Sequence, residues 1–263
     1  MQIREKYVLM PPEVLWLNVS PEYTKLSHPY LQHLDRFLHV ACWDYRQDDD
    51  EPNSLDIAVE SLHEYLETLP EPIHLIGHST AGLVGLLYAR QHPENVKSLS
   101  LLSVGADPAI DWQAHYYTRL NLLPCSRQLV LSQMVRELFG RQSPQAISTI
   151  ETVLQQDLDR SPSPHSLWSR ASIEPGGCDV PMFVSGSEND TIITIDAIRQ
   201  WQDFLKPSDR IWECPGGRYF FHCFFPQLLQ EELMQFWAEV DVGAVWQTNV
   251  VQRTPACQRT SQF

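Results

Sequence analysis

Ser79 lies in the run Ile73-His74-Leu75-Ile76-Gly77-His78-Ser79-Thr80-Ala81-Gly82, which continues as Leu83-Val84-Gly85-Leu86-Leu87-Tyr88-Ala89. An apolar, strand-like stretch ends in glycine, a serine follows two residues later, and small residues lead into a helical pattern. That order puts the serine at the apex of a sharp strand-to-helix turn, with its hydroxyl held above the edge of a sheet. A serine hydroxyl is a weak nucleophile alone. It needs a base, an acid to orient that base, and donors aimed at a developing oxyanion. The Thr80 N–H, at a helix N-terminus, is one such donor by position.

The elements that must hold this serine are legible as alternating apolar runs and helical periods. Val14-Leu15-Trp16-Leu17 and Leu38–Trp43 read as strands, with a helix from about Ser27 to Phe37 between them and Pro29 in its first turn. Ser54 to Thr68 follows a helical pattern with Leu55, Val59, Leu62 and Leu66 inward and Ser54 as N-cap. Ile73–Gly77 and Val96–Leu102 are the next strands. Such alternation predicts a mostly parallel sheet covered on both faces. From Pro108 to Cys178 the strand pattern lapses, and helices are expected over Arg127–Phe139 and Pro144–Leu158. Pro181–Ser185 then resumes as a strand, followed by a helix near Ile195–Leu205, a strand near Arg210–Glu213 and a last helix opened by Pro226. The expected organisation is a core of residues 1–107 and 179–240, a helical cap of residues 108–178, and a tail of residues 241–263 without clear periodicity.

Composition narrows the class of partner. The chain has 263 residues and a net charge of −14, which makes nucleic acid and anionic membranes poor partners. Its six cysteines lack C-x-x-C or other metal-like spacing, and no phosphate-binding glycine loop or dinucleotide fingerprint is present, so no metal or cofactor is expected. The first residues lack an apolar signal core and no run approaches membrane-spanning length, so the expected setting is the cytoplasm, with reduced thiols.

Over roughly residues 12–240 the chain resembles the α/β-hydrolase superfamily in its capped, esterase-like branch. Gly77-His78-Ser79-Thr80-Ala81-Gly82, continued by Tyr88-Ala89-Arg90-Gln91-His92-Pro93-Glu94-Asn95-Val96, carries the likeness most strongly, with Ala81 where the family commonly has glycine. The resemblance implies an α/β-hydrolase fold and a serine hydrolase that cleaves a small to medium ester, thioester or related acyl bond through an acyl-enzyme on Ser79. Pro181–Asp190 matches the late strand and acid loop, making Asp190 the orienting acid and Asp107 its reserve. Cys214–Pro226 matches the histidine loop, but counting back from Pro226 puts the usual catalytic histidine on Tyr219. A phenol with an ordinary pKa of about 10 is a poor substitute for imidazole. His222, three residues on, is the local substitute base; the alternative is a packed histidine among Phe220, Phe221, Phe224 and Phe225. Tyr219 would then line the substrate site. The family's His-Gly after the first core strand is here Asn18-Val19, so Ser20 N–H would pair with Thr80 N–H as the oxyanion hole, with a backbone stiffened by Val19. His78 is expected to pack, and His115 and His165 to be exposed on the cap. Asp48-Asp49-Asp50-Glu51 is expected to be a solvated loop. Tyr219 and Asn18-Val19 also fit a second possibility, a member of the fold that binds a ligand or protein without catalysis.

Overall fold

The computed structural model describes residues 11–47, 54–122, 124–165 and 172–252. The expected solvated loop at Asp48–Glu51 lies outside these. Six parallel strands form the sheet in the order β2-β1-β3-β4-β5-β6: β1 Val14–Asn18, β2 Val40–Asp44, β3 Ile73–His78, β4 Val96–Leu102, β5 Met182–Ser187 and β6 Arg210–Cys214. The central strands are buried along their length because helices cover both faces, which is why they read as apolar runs.

Alternation along β1 sorts its side chains between two cores. Leu15 and Leu17 join Leu75, Leu99, Leu101 and Val184 under α2 (Leu55–Leu66) and α3 (Thr80–Gln91). Val14 and Trp16 join Ile76, Leu102 and Phe183 on the other face, against α1 (Thr24–Leu34) and Leu229, Leu233 and Phe236 of a long C-terminal helix. The cap helices α4 (Trp112–Leu122), α5 (Arg127–Phe139) and α6 (Pro144–Arg160) share the first core through Val130, Met134, Leu138 and Leu154. Ser54, Ser126 and Ser143 cap α2, α5 and α6 with side-chain oxygens that accept first-turn N–H groups. Beyond β5 come α7 (Ile195–Arg199), α8 (Phe221–Phe224) and α9 (Pro226–Gln252).

Two helix boundaries differ from expectation. α1 begins at Thr24, directly after a 3-10 turn over Pro21–Tyr23, so Pro29 lies inside the helix rather than in its first turn. α9 runs on through the first part of the expected tail to Gln252. Among the described residues, no helix is long and apolar enough to cross a membrane.

Candidate functional site

The turn after β3 is built by the close approach of two glycines. A Cβ on Gly77 would meet the backbone N of Gly82 at 2.6 Å, and one on Gly82 would meet the Gly77 carbonyl oxygen at 2.8 Å. Ser79 sits between them at φ 56° and ψ −129°, a strained conformation for any residue with a side chain. Its N–H donates to the Leu102 carbonyl at the end of β4 (2.9 Å), and its carbonyl accepts the Leu83 N–H of α3 (3.0 Å), which locks the turn to both neighbours. Thr80 opens α3, so its N–H is one of the helix's N-terminal donors.

The group bonded to Ser79 Oγ is the Tyr219 hydroxyl. Tyr219 is fully buried. Its carbonyl oxygen accepts two donors, His78 Nε2–H at 2.8 Å and Ser103 Oγ–H at 2.9 Å, and its phenolic oxygen also accepts the Trp112 N–H from the start of α4. Burial first, and then the negative charge of Asp111, hold its pKa well above the ordinary phenol value, so it stays a neutral hydroxyl and is not a base for Ser79. His78 packs as expected, with burial pushing its pKa down to about 4.

The structure takes His222 elsewhere. Its ring is buried among Trp16, Tyr30, His78 and Phe221, and Nε2 pairs with Ser27 Oγ of α1 at 3.4 Å. Nδ1 has no partner among the described residues. Burial, reinforced by His78, holds it neutral, far below the usual imidazole value. The cause lies in the loop. Gly217 and Arg218, both at positive φ, lead into a 3-10 turn over Arg218–Phe220 that sets Tyr219 on the serine. The chain then winds directly into α8, which carries His222 against α1. His222 is therefore packed among aromatics, and Tyr219 is the side chain bonded to Ser79 Oγ.

Asp190 is buried, and its Oδ1 accepts the N–H groups of Ile192 (2.8 Å) and Ile193 (3.2 Å). Oδ2 has no partner among the described residues. Burial pushes its pKa up to about 7 against those two hydrogen bonds and the nearby Arg218. The reserve acid, Asp107, is exposed. On the oxyanion side, the Ser20 N–H donates to Asn18 Oδ1 at 3.2 Å.

Three contacts had no signal in the sequence. Asp111, at the cap entrance, accepts the Thr80 hydroxyl at 3.0 Å and the Ala114 N–H at 2.9 Å, and burial raises its pKa. Trp112 supplies the N–H to Tyr219. Asp157 of α6, fully buried, accepts Tyr23 Oη–H (3.0 Å), Gln113 Nε2–H (3.1 Å), Ser161 Oγ–H (2.6 Å) and the Ser20 hydroxyl, tying the cap to the segment after β1. His165 is buried beside Asp111, with Nε2–H on the Ala109 carbonyl, and is not the exposed cap histidine expected; His115 is half-buried.

With the cap tied down, about 20 Å³ of open space remains beside Ser79, between Asn18, Ser20, Tyr23, Thr80 and Trp112. That holds about one water molecule. A larger cleft, about 400 Å³, lies at the opposite end of the sheet between Lys97, Arg210 and Phe236, away from the serine. Among the described residues, no group of three or more His, Cys, Asp or Glu side chains is placed to hold a metal ion.

A family profile described as alpha/beta hydrolase fold matches residues 53–222. An uncharacterized protein of Synechocystis sp. is 47% identical over 87% of this chain and 92% of its own length, and one of Nostoc sp. is 40% identical over 86% and 90%. Among solved structures, a candidate hydrolase of Bacillus subtilis superposes with a TM-score of 0.66 over 87% of this chain and 85% of its own, at 15% identity, which speaks for the fold alone. The profile spans well over half of the chain and covers the serine turn, the acid loop and the loop bearing Tyr219. The chain belongs to the alpha/beta hydrolase fold family.

Proposed function

We propose that this protein works by binding a ligand or protein partner, on a hydrolase scaffold that has kept its nucleophile turn and given up acyl turnover. The hydroxyl of Tyr219 on Ser79 Oγ carries this reading. A general base contributes roughly 10²–10⁴ in rate, and a phenol held above its ordinary pKa supplies none of that at neutral pH. Two further observations support it. Asp190 has one carboxylate oxygen without a partner among the described residues, and the space at the serine admits a water but no acyl group. The acidic balance of the chain disfavours nucleic acid and anionic membranes as partners, and the free thiols of Cys42, Cys125, Cys178, Cys214 and Cys223 fit a reducing, cytoplasmic setting.

One observation favours a second reading, a serine hydrolase acting on a small to medium ester or thioester. Ser79 retains the strained φ of 56° that a nucleophile turn needs and a purely structural turn does not. In that reading Ser79 attacks, Thr80 and Ser20 N–H groups hold the oxyanion, and His222 displaces Tyr219 to act as base with Asp190 behind it.

Labelling with a fluorophosphonate probe separates the two. The binding reading expects no labelling of the native chain and labelling of Tyr219→His that disappears when Ser79→Ala is added. Labelling of the native protein that is lost in both Ser79→Ala and His222→Ala would overturn it in favour of the hydrolase.

A further inference from the structure

Asn18 ends β1 in register with Asp44 at the end of β2. Its Nδ2 donates to Asp44 Oδ1 at 2.5 Å and to Thr24 Oγ1 at 3.1 Å, while its Oδ1 accepts the Ser20 N–H at 3.2 Å. This amide orientation is the one that chemistry permits. A carboxylate only accepts and a backbone N–H only donates, so the flipped amide would face oxygen to oxygen at Asp44 and donor to donor at Ser20. The Ser20 hydroxyl is directed to Asp157 of the cap and the Ser20 carbonyl accepts the Tyr23 N–H at 2.9 Å, so the polar groups of Ser20 are engaged within the chain. Val19 contributes as well. The non-glycine residues at positive φ among those described are Ser79, Ser103 and Arg218, so Val19 does not turn the next N–H as a glycine there could.

We infer that Asn18 is a second lock on the serine site, a positioning residue whose side-chain oxygen occupies the N–H that would otherwise face an oxyanion beside Thr80 N–H. The inference rests on the reading of the site as closed to acyl chemistry, and it gives that closure a second and separate part. Tyr219 denies the serine a proton acceptor; Asn18 denies the tetrahedral adduct one of its two donors. Removing one oxyanion donor costs about 10²–10³ in rate in a well-studied hydrolase. Restoring a histidine at position 219 alone therefore leaves most of the lost rate unrecovered.

The test has two arms, each read on the full-length chain. In the first, amide exchange of Ser20 is followed by NMR in native protein and in Asn18→Ala, with Asn18→Leu, which has no acceptor, as the alternative should the alanine variant not fold. Exchange at Ser20 should rise by about tenfold or more, with the Leu17 and Thr80 amides unchanged; unaltered exchange at Ser20 in a folded variant overturns the lock. In the second arm, the fluorophosphonate labelling rate of Tyr219→His is compared with that of Tyr219→His/Asn18→Ala. The double variant should label about 10–100-fold faster, and equal non-zero rates overturn the lock. Should neither variant label while Ser20 exchange rises, the lock stands and the idea that Tyr219 is what silences Ser79 falls.

Discussion

The serine turn and the loop that carries Tyr219 face each other across the end of the sheet and have kept different things. At the turn the backbone is that of a nucleophile: Gly77 against Gly82, Ser79 at φ 56°, Thr80 at the head of α3. At the loop the group bonded to the serine is a neutral phenol, while Asp190, in the separate loop after β5, is buried with one oxygen unpaired among the described residues. Scaffold and chemistry are therefore separable here. The turn is held by backbone contacts that do not depend on a neighbouring base, so losing the base leaves its geometry intact. Fold membership follows from the first region, and the functional conclusion from the second.

The sharpest way to break the contrast is at the backbone. Gly77→Ala places a methyl carbon 2.6 Å from the Gly82 N, a contact with main chain that no rotamer change relieves. The expected cost is upwards of about 3 kcal/mol, at the top of the range for overpacking. Urea unfolding would measure it, and a loss under about 1 kcal/mol would mean that the turn is not held by this close approach.

What the sequence disclosed and what it withheld follow from range. The serine turn was legible because its requirements are local: small residues within five positions of one another, a strand before and a helix after. That Tyr219 stands where the family's histidine usually falls was legible by counting back from Pro226, and the structure puts its hydroxyl on Ser79 Oγ. The destination of His222 was not, since it depends on whether a short helix packs its ring against Ser27, 195 residues away. The bond between Thr80 and Asp111 spans 31 residues and that between Tyr23 and Asp157 spans 134, and neither has a local pattern. The start of α1 was misplaced because Pro29 signals a first turn, whereas Pro21 fills that role in the 3-10 turn ahead of the helix.

The acid offers a subtler test of the loop. Asp190 has a pKa of about 7 in the folded chain, above its ordinary value, so the native state holds this proton to higher pH than the unfolded state does. Stability linked to it is fully present below the ordinary carboxylate range and is lost as pH rises through about 7. The full displacement corresponds to roughly 4 kcal/mol, and relaxation around a buried carboxylate brings the expected loss nearer 2 kcal/mol between pH 4 and pH 8. Asp190→Asn keeps an oxygen for the Ile192 and Ile193 N–H groups and removes the charge, so its stability should gain on the native chain by that amount over the same interval. Parallel pH profiles for the two proteins would show that Asp190 is paired after all, and a base could then be sought beside it.

The smallest expected effect bears most directly on the contact between the two regions. Tyr219→Phe removes the hydroxyl that meets both Ser79 Oγ and the Trp112 N–H, leaving a buried donor unpaired, and should cost about 1–2 kcal/mol. Ser79→Ala retains the strained backbone and gives up only one hydrogen bond, so its own cost is less, about 0.5–1 kcal/mol. Because the two hydroxyls bond each other, the double variant should be less destabilised than the sum of the singles, with a coupling of about 1 kcal/mol. A coupling of that size makes the bond part of what holds the folded site together. A coupling near zero, from unfolding curves of all four proteins, would mean that the serine is free to leave the tyrosine, and the separation of scaffold from chemistry would no longer hold at the one point where the two regions touch.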